Sequence, residues 1–146
     1  MWCEQKCSDW WINGADANAV EFVLKQPGNP TDRVTTTQEI LMSSGSNSGG
    51  SGVTMWDLNM EHSASLHRLR FRLSNELTGS TSINSNALSM STDYRPMNPG
   101  SLWNVLLQRM SSSFSGSGTN EYRLAAAYQN KDKIAMISGV SMSISG

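Results

Sequence analysis

The chain has 146 residues, which is the length of one ordinary domain and is enough to bury a hydrophobic core without disulfides or bound metals. Its formal net charge is −1, so the chain as a whole carries no basic field that would hold nucleic acid or an anionic membrane. Any electrostatic function must therefore come from a local cluster of charges.

Composition predicts the fold class. The chain contains 24 Ser, 12 Asn, 12 Gly and 9 Thr, whereas only 16% of its residues are charged, against about 25% in ordinary soluble proteins. Ser, Thr, Asn and Gly favour turns and exposed strand faces, while helical proteins are richer in Glu, Lys, Ala and Leu. We therefore predict a single all-β domain over 1–146, built as an antiparallel sandwich, jelly roll or barrel.

The sequence contains no run of 18 apolar residues, which predicts that the chain has no transmembrane helix. Its first residues lack a basic segment followed by an apolar one, so no signal peptide is expected. A chain whose targeting segment had been removed would show the same pattern.

Three of the five tryptophans, Trp2, Trp10 and Trp11, lie within residues 1–14. Tryptophan is enriched in cores and subunit interfaces, so one interpretation is that Trp10 and Trp11 contact another copy of the chain. The alternative is a sugar-binding platform that uses the flat faces of these rings and of Trp56.

Cys3 and Cys7 are the two cysteines of the chain. They could be two thiols or, in an exported protein, a local disulfide. A zinc site would need two further ligands, for which His62 and His67 are the only histidines, and the spacing lacks the arrangement of a zinc finger. We therefore predict no metal and no cofactor.

Two strands are predicted in the first 42 residues. In 19–26 apolar residues alternate with Glu21 and Lys25, which indicates a strand, although a short helix from Asp16 would also fit. The threonine run in 33–42 favours a second strand, while the Gln-Glu-Ile-Leu-Met end of that stretch would also suit a helix.

Residues 43–52, Ser-Ser-Gly-Ser-Asn-Ser-Gly-Gly-Ser-Gly, are the most flexible stretch by composition. They contain neither a phosphate-binding P-loop nor a nucleophile elbow. We interpret them as a hairpin loop or mobile arm within one domain, because the 42 residues before them would make a poor independent core. An engineered linker is the alternative.

The clearest pattern in the chain is 67–73, His-Arg-Leu-Arg-Phe-Arg-Leu. A strand here places the apolar side chains on one face and the arginines on the other. These arginines form what we call the arginine ladder: Arg68, Arg70 and Arg72. Residues 53–60 show the same alternation, and 61–65 could be a turn, so the two strands are predicted to form a hairpin.

The arginine ladder has two interpretations. Alternate strand residues lie about 6.6–6.8 Å apart, near the spacing of phosphates along an extended single strand, so the ladder could contact nucleic acid or the carboxylates of a neighbouring subunit. In the alternative, Asp57 or Glu61 pairs with an arginine and the face is ordinary surface. Reversing the charge of all three arginines should weaken assembly or nucleic-acid content only in the first case.

After a short strand over 87–94, one helix is predicted near 101–111. Ser101 can cap it, and Leu102 and Leu106, with Met110, recur every four residues to form an apolar stripe. We expect this helix to close one end of the β-core.

Residues 122–144 predict a second hairpin with its turn at 130–133. Apolar residues alternate with small ones, such as Ala125, Gly139 and Ser141, which gives a smooth and uncharged face. Such a face, on a strand without charges to guard its edge, can pack against another copy. The predicted assembly interface comprises Trp10, Trp11, Tyr122, Tyr128, Met136 and Met142.

Groups suited to catalysis are scarce, with 2 His, 2 Cys and 12 acidic residues. The sequence has no His-Glu-x-x-His, no dinucleotide-binding glycine pattern and no EF-hand loop. A Ser-His-Asp triad needs no local motif, so its absence is not shown by the sequence. We predict that the chain is not an enzyme and has no small-molecule ligand.

Low charge, small polar residues, flexible loops and a smooth hairpin recur in virus and phage particle proteins and in extracellular fibres. We therefore expect a structural protein that self-assembles as a homo-oligomer into a particle, tube or filament, in a virion or an extracellular assembly. Nucleic acid would be a partner if the arginine ladder contacts it. The alternative is a secreted β-sandwich that binds carbohydrate or a cell surface through its tryptophans.

Overall fold

The protein folds as two antiparallel β-sheets packed against each other. The computed structural model describes residues 19–25, 37–46, 52–73, 88–96, 102–111, 119–130 and 133–145. These residues contain no helix, and their strands are β1 (Ala19–Lys25), β2 (Gln38–Ser46), β3 (Gly52–Ser63), β4 (Leu66–Leu73), β5 (Leu88–Ser91), β6 (Arg95–Pro96), β7 (Leu102–Ser111), β8 (Thr119–Asn130) and β9 (Lys133–Ser145).

Strand order defines the two sheets. The first sheet has the order β1-β7-β8-β9, and the second has the order β2-β3-β4-β5, with the short β6 also paired to β4. All of these described pairings are antiparallel. The chain passes between the sheets after β1 and again after β6, so β1 becomes a neighbour of β7. The prediction of an all-β sandwich is confirmed.

The core lies between the sheets and is built by alternation along the strands. In β4, Leu69 and Phe71 are buried, whereas the arginines beside them are half-buried. Phe71 also contacts the opposite sheet, where its ring stacks on Tyr122 of β8 with the centroids 5.7 Å apart. The buried apolar residues are Trp56, Leu58, Met60, Leu69, Phe71, Met90, Trp103, Val105, Leu107, Tyr122, Leu124 and Ala126.

β3 and β4 form the predicted hairpin, with a tighter turn than expected. Ser63 pairs with Leu66, so the loop consists of Ala64 and Ser65 alone. Ala64 has a φ of 53°, in the left-handed region that glycine adopts more easily. A positive φ at the first position of a two-residue loop matches the right-handed twist of the flanking strands.

The helix predicted near 101–111 is wrong, because this stretch is strand β7 in the interior of the first sheet, paired with β1 and β8. Trp103, Val105 and Leu107 are buried at a spacing of two residues, whereas Leu106, on the predicted helical stripe, is half-buried. The stretch is apolar at both spacings, and pairing partners on both sides favour the strand.

β2 extends beyond its predicted end. Ser46 pairs with Gly52 of β3, so both ends of the predicted loop 43–52 belong to strands. The antiparallel pairing of β2 with β3 agrees with the hairpin interpretation of that loop. Residues 47–51, like the start of the strand predicted over 33–42, lie outside the described residues.

β5 ends earlier than the strand predicted over 87–94, and Thr92 then continues the pairing with β4 through its backbone and its side chain. The backbone N–H of Thr92 donates to the carbonyl of Leu69 at 3.0 Å, and Thr92 Oγ1 accepts from the Leu69 N–H at 3.0 Å. The next residue, Asp93, donates its N–H to Ser138 Oγ of β9 at 3.4 Å. These bonds join the end of β5 to both sheets.

The hairpin predicted over 122–144 is confirmed as β8 and β9. Asn130 pairs with Lys133, so the turn falls where the sequence places it. Leu124 and Ala126 are buried, as the alternation predicts. β9 lies at one end of the first sheet, and no other described strand pairs with its outer side.

Candidate functional site

The arginine ladder lies on the outer face of the second sheet, beside acidic residues of β3. Residues directly opposite in an antiparallel pair share a face of the sheet, so the hairpin register determines which side chains meet. The register pairs Arg72 with Asp57, Arg70 with Asn59 and Arg68 with Glu61. The two carboxylates are therefore placed among the three guanidinium groups.

Glu61 bridges two arginines. Its Oε2 accepts a hydrogen bond from Arg68 Nε at 2.6 Å, and its Oε1 accepts one from Arg70 Nη1 at 3.0 Å. Burial acts to raise the pKa of Glu61, but the hydrogen bonds and charges of Arg70 and Arg68 outweigh it and hold the pKa below the ordinary 4.5. The carboxylate is thus charged at neutral pH and offsets part of the positive charge of the ladder.

Asp57 forms a bidentate pair with Arg72. Arg72 Nε donates to Asp57 Oδ1 at 2.9 Å, and Nη2 donates to Oδ2. The Asp57 side chain is only 3% exposed, against 28% for Arg72, so the carboxylate is buried on the outer face of the sheet. The hydrogen bond with Asp57 raises the pKa of Arg72 further. A bidentate pair fixes the orientation of the guanidinium group as well as its charge.

The remaining contacts of the ladder also lie within this protein. The guanidinium carbon of Arg68 lies 4.5 Å from the centroid of the Tyr94 ring, a cation–π contact. Arg70 Nη2 donates to Ser89 Oγ of β5 at 3.3 Å. Arg68 and Arg70 are therefore each oriented by a second neighbour besides Glu61.

The face formed by the ladder is balanced in charge. Its guanidinium groups lie among the carboxylates of Glu39, Asp57 and Glu61, with Glu39 opposite Asn59 in the register. Since the arginine side chains are only 28–32% exposed and are paired with carboxylates, a phosphate would compete with these carboxylates for the guanidinium groups. The structure has the ion-paired arrangement that the sequence left open as the alternative, and contact with nucleic acid stays a prediction.

Three of the residues predicted for the assembly interface, Tyr122, Tyr128 and Met142, pack toward the core. Tyr122 is 5% exposed and stacks on Phe71, which corrects its assignment to a surface. Burial raises the pKa of the Tyr122 hydroxyl, as expected for a core tyrosine. Tyr128 and Met142 are half-buried and pack against the core, and Met136 lies opposite Tyr128 in the register of β8 and β9.

One of the tryptophans proposed to bind a sugar, Trp56, is buried. Trp56 is 1% exposed and its ring lies 6.0 Å from that of Phe71, so in this fold it cannot stack on a sugar. Trp2, Trp10 and Trp11 lie outside the described residues, as do Cys3 and Cys7. Their roles stay predictions.

Within the described residues, β9 presents a surface of small, uncharged side chains. Gly139, Ser141 and Ser143 are exposed, and Gly139 lies opposite Ala125 of β8. No charged residue follows Lys133 in this strand. The alternation of small and apolar residues indicated this surface from the sequence, but the position of β9 at the edge of a sheet depends on the topology.

No group of three or more His, Cys, Asp or Glu side chains that could hold a metal ion is present among the described residues. His62 and His67 lie opposite each other in the hairpin, with ring centroids 5.1 Å apart. Among the residues that the structure describes, no helix has the length and apolarity needed to cross a membrane.

Comparisons with protein-family models, with curated proteins and with solved structures found no match to the chain.

Proposed function

We propose that the chain is a non-enzymatic structural protein that assembles with copies of itself into a particle, tube or filament, in a virion or an extracellular assembly. The observation that carries this proposal is β9, a strand of 13 residues at the edge of the first sheet. An edge strand leaves a row of N–H and C=O groups available, and monomeric proteins guard such edges with charges, prolines, bulges or short strands. β9 has one register shift near its beginning. From residue 134 to residue 145 it contains no charged residue and no proline, and it is a long strand.

The other described edges are guarded, which makes β9 the exception. β1 has 7 residues and exposes Glu21 and Lys25. β2 carries two register shifts along its pairing with β3, and such bulges twist an edge away from a new partner. β5 has only 4 residues. A second copy of the chain therefore finds its best pairing surface on β9.

Low charge supports the same conclusion. The formal net charge of −1 means that copies of the chain repel one another weakly. Gly139, Ser141 and Ser143, which are exposed residues of β9, are small and uncharged, so they neither crowd nor repel a neighbouring copy. Both properties lower the cost of bringing two copies together.

Size-exclusion chromatography with light scattering tests the proposal. We expect a mass that is a multiple of 16.0 kDa and that rises with protein concentration. Ser141→Lys places a charge on the exposed edge and should lower the mass toward that of a monomer. Ser63→Lys, an exposed site in the β3–β4 hairpin, is the matched control and should leave the mass unchanged. A clean monomer at every concentration would overturn the proposal.

Nucleic acid is a partner in this proposal only if the arginine ladder binds phosphates in competition with its own carboxylates. Recording absorbance at 260 and 280 nm during the same chromatography detects bound nucleic acid. Arg70→Gln is the mildest test, because it keeps the Arg68–Glu61 and Arg72–Asp57 pairs. If the ladder contacts phosphates, this variant should lower the salt dependence of binding to single-stranded DNA by about one ion. An unchanged salt dependence would show that the ladder is ordinary ion-paired surface.

A further inference from the structure

We infer that two copies of the chain pair through β9, antiparallel to each other, across a two-fold axis at Gly139, so that two four-stranded sheets join into one continuous sheet. This inference rests on the proposed function and names the contact within it. The partner is a second copy of this chain, and the surface on both sides is the outer edge of the same strand.

Strand length favours the pairing of β9 with itself. β9 has 13 residues, whereas β1, at the other edge of the same sheet, has 7, so pairing β9 of one copy with β1 of the next would leave nearly half of β9 open. Pairing β9 with β9 matches the two lengths. It also makes the contact isologous, because both subunits use the same patch, so the β9 pair is a dimer from which a particle, tube or filament would be built through further contacts.

Charge favours the same arrangement. In a two-fold pair every residue is duplicated across the axis, so a charge near the centre of the strand would face its own copy. The segment 134–145 contains no charged residue, and Lys133 lies at the far end of the strand from the axis. No like charges are therefore brought together near the contact.

The position of the axis follows from the length of β9. Gly139 is the middle residue of β9 and is exposed on the outer face, so an axis there pairs the two strands over their full lengths. Antiparallel pairing about Gly139 places Ser138 opposite Val140, and both of these residues lie on the core side of the sheet in each copy. The pairing would therefore continue both faces of the sandwich across the axis without reversing either.

The strand is also held in place before it pairs. The N–H of Asp93 donates to Ser138 Oγ at 3.4 Å, which ties the centre of β9 to the second sheet. Since a preordered strand loses less conformational freedom on association, this bond favours pairing at the centre of β9.

A single engineered thiol tests the axis. A Cβ built at Gly139 would lie 3.9 Å from Ala125 Cβ and 3.9 Å from the Leu124 carbonyl oxygen, which is ordinary contact, so Gly139→Cys fits the fold. Opposed residues of an antiparallel pair have Cα atoms about 4.5–5.5 Å apart, within the range of about 4.4–6.8 Å that a disulfide spans. The full chain with Cys3→Ser and Cys7→Ser leaves residue 139 as the only thiol.

Ser143→Cys in the same background is the matched control. Ser143 is exposed on the same face as Gly139, four residues further along. In the inferred register the two copies of residue 143 lie about 27 Å apart, too far for a disulfide. Under mild oxidation we expect Gly139→Cys to form a disulfide-linked dimer at least about tenfold faster than Ser143→Cys, because pairing raises the local thiol concentration. Non-reducing electrophoresis measures both rates.

The outcomes separate this inference from the proposed function. If the unsubstituted chain assembles but the two thiols crosslink equally, or residue 139 does not crosslink, the pairing at Gly139 is overturned while assembly stands. If the unsubstituted chain is a monomer, both are overturned. Should Gly139→Cys fail to fold, spin labels at Ser143→Cys give a second measurement. Pulsed electron paramagnetic resonance should then show a distance of about 27 Å plus the label linkers, and its absence in the assembled protein would overturn the pairing.

Discussion

Phe71 of β4 stacks on Tyr122 of β8 with ring centroids 5.7 Å apart, and this contact joins the two sheets. The interplanar angle of 29° is close to an offset stack, the arrangement in which aromatic rings attract one another. The ring of Trp56 also contacts Phe71, with the two ring centroids 6.0 Å apart. The packing of the sandwich therefore depends strongly on one side chain, Phe71, which is 0% exposed.

Phe71→Ala should lower the free energy of unfolding by about 3–5 kcal/mol, because it removes buried apolar surface and leaves a cavity between the sheets. Urea unfolding followed by tryptophan fluorescence measures the change. Val23→Ala is the control: Val23 is 60% exposed, so its truncation should change stability by less than about 0.5 kcal/mol. Equal losses for the two variants would contradict the packing described here.

Glu61→Gln should lower the free energy of unfolding by about 1–3 kcal/mol at neutral pH, because hydrogen bonds of Arg68 and Arg70 to a charged acceptor are replaced by bonds to a neutral one. The effect should also depend on pH. The pKa of Glu61 is lowered in the folded state, so its contribution is complete above the ordinary value of 4.5 and is lost as the pH falls through the folded pKa.

Urea unfolding of both proteins from pH 7 downward therefore provides the test for Glu61. The difference in stability between the unsubstituted chain and Glu61→Gln should be largest at neutral pH and should shrink below pH 4.5. A difference that stayed constant, or grew, on acidification would show that the two arginines do not stabilise the charged carboxylate.

Asp57→Ala should lower the free energy of unfolding by about 3 kcal/mol, because it leaves the guanidinium of Arg72 without its bidentate partner on a partly buried face. The matched control is Asp93→Ala. Asp93 pairs with Arg95 at 3.2 Å but is 74% exposed, and exposed pairs contribute at most about 1 kcal/mol. Thermal unfolding of the two variants compares a buried with an exposed ion pair in one protein. If Asp93→Ala lowered stability more than Asp57→Ala, the buried ion pair of Asp57 with Arg72 would not be the more stabilising of the two.

Ala64 offers a test of the hairpin turn. Because the φ of Ala64 is 53°, Ala64→Gly should relieve backbone strain in the folded state, a gain of about 1–2 kcal/mol. Glycine also gives the unfolded chain more conformational freedom, which costs about 0.4–1 kcal/mol of stability. We therefore expect a small net gain in the free energy of unfolding. Ala64→Val should instead be destabilising, since a β-branched side chain tolerates positive φ poorly. Chemical unfolding measures both, and a Val variant as stable as the Gly variant would contradict the left-handed conformation.

The β2–β3 hairpin permits a shorter connection. Ser46 lies opposite Gly52, so the five residues 47–51 can be replaced by Asn-Gly, which suits a two-residue hairpin loop. We expect the fold to be kept and the free energy of unfolding to rise by less than about 1 kcal/mol, from the lower entropy cost of closing the loop. Circular dichroism and urea unfolding measure this. Loss of the folded state would show that the segment does more than connect two strands.

The sequence predicted a strand correctly wherever its apolar residues fitted a spacing of two and did not fit the spacing of three to four that a helix requires. The alternation in β4 and β8 fits only a strand, because their arginine or small residues would break a helical stripe. β7 is different: Leu102 and Leu106 support a helical spacing while Trp103, Val105 and Leu107 support a strand. Only the partners β1 and β8 distinguish the two, and β1 lies far away in the sequence.

The ion pairs of the ladder could be predicted in part. Once residues 53–60 and 67–73 are taken as a hairpin, Asp57 and Glu61 must lie near the arginines. Which carboxylate meets which arginine depends on the register, and the register depends on the two-residue turn at Ala64. The burial of Asp57 on the outer face had no signal in the sequence, because a charged residue there is expected to be solvated.

From Trp56 to Met60, strand β3 has five consecutive buried residues, with the apolar ones facing the core and Asp57 and Asn59 buried on the outer face. In β1, by contrast, every second side chain is exposed. Random mutagenesis should therefore find no silent position between Trp56 and Met60, whereas β1 should accept changes at alternate sites. Sequence variation among relatives of this chain should be narrowest in that segment of β3.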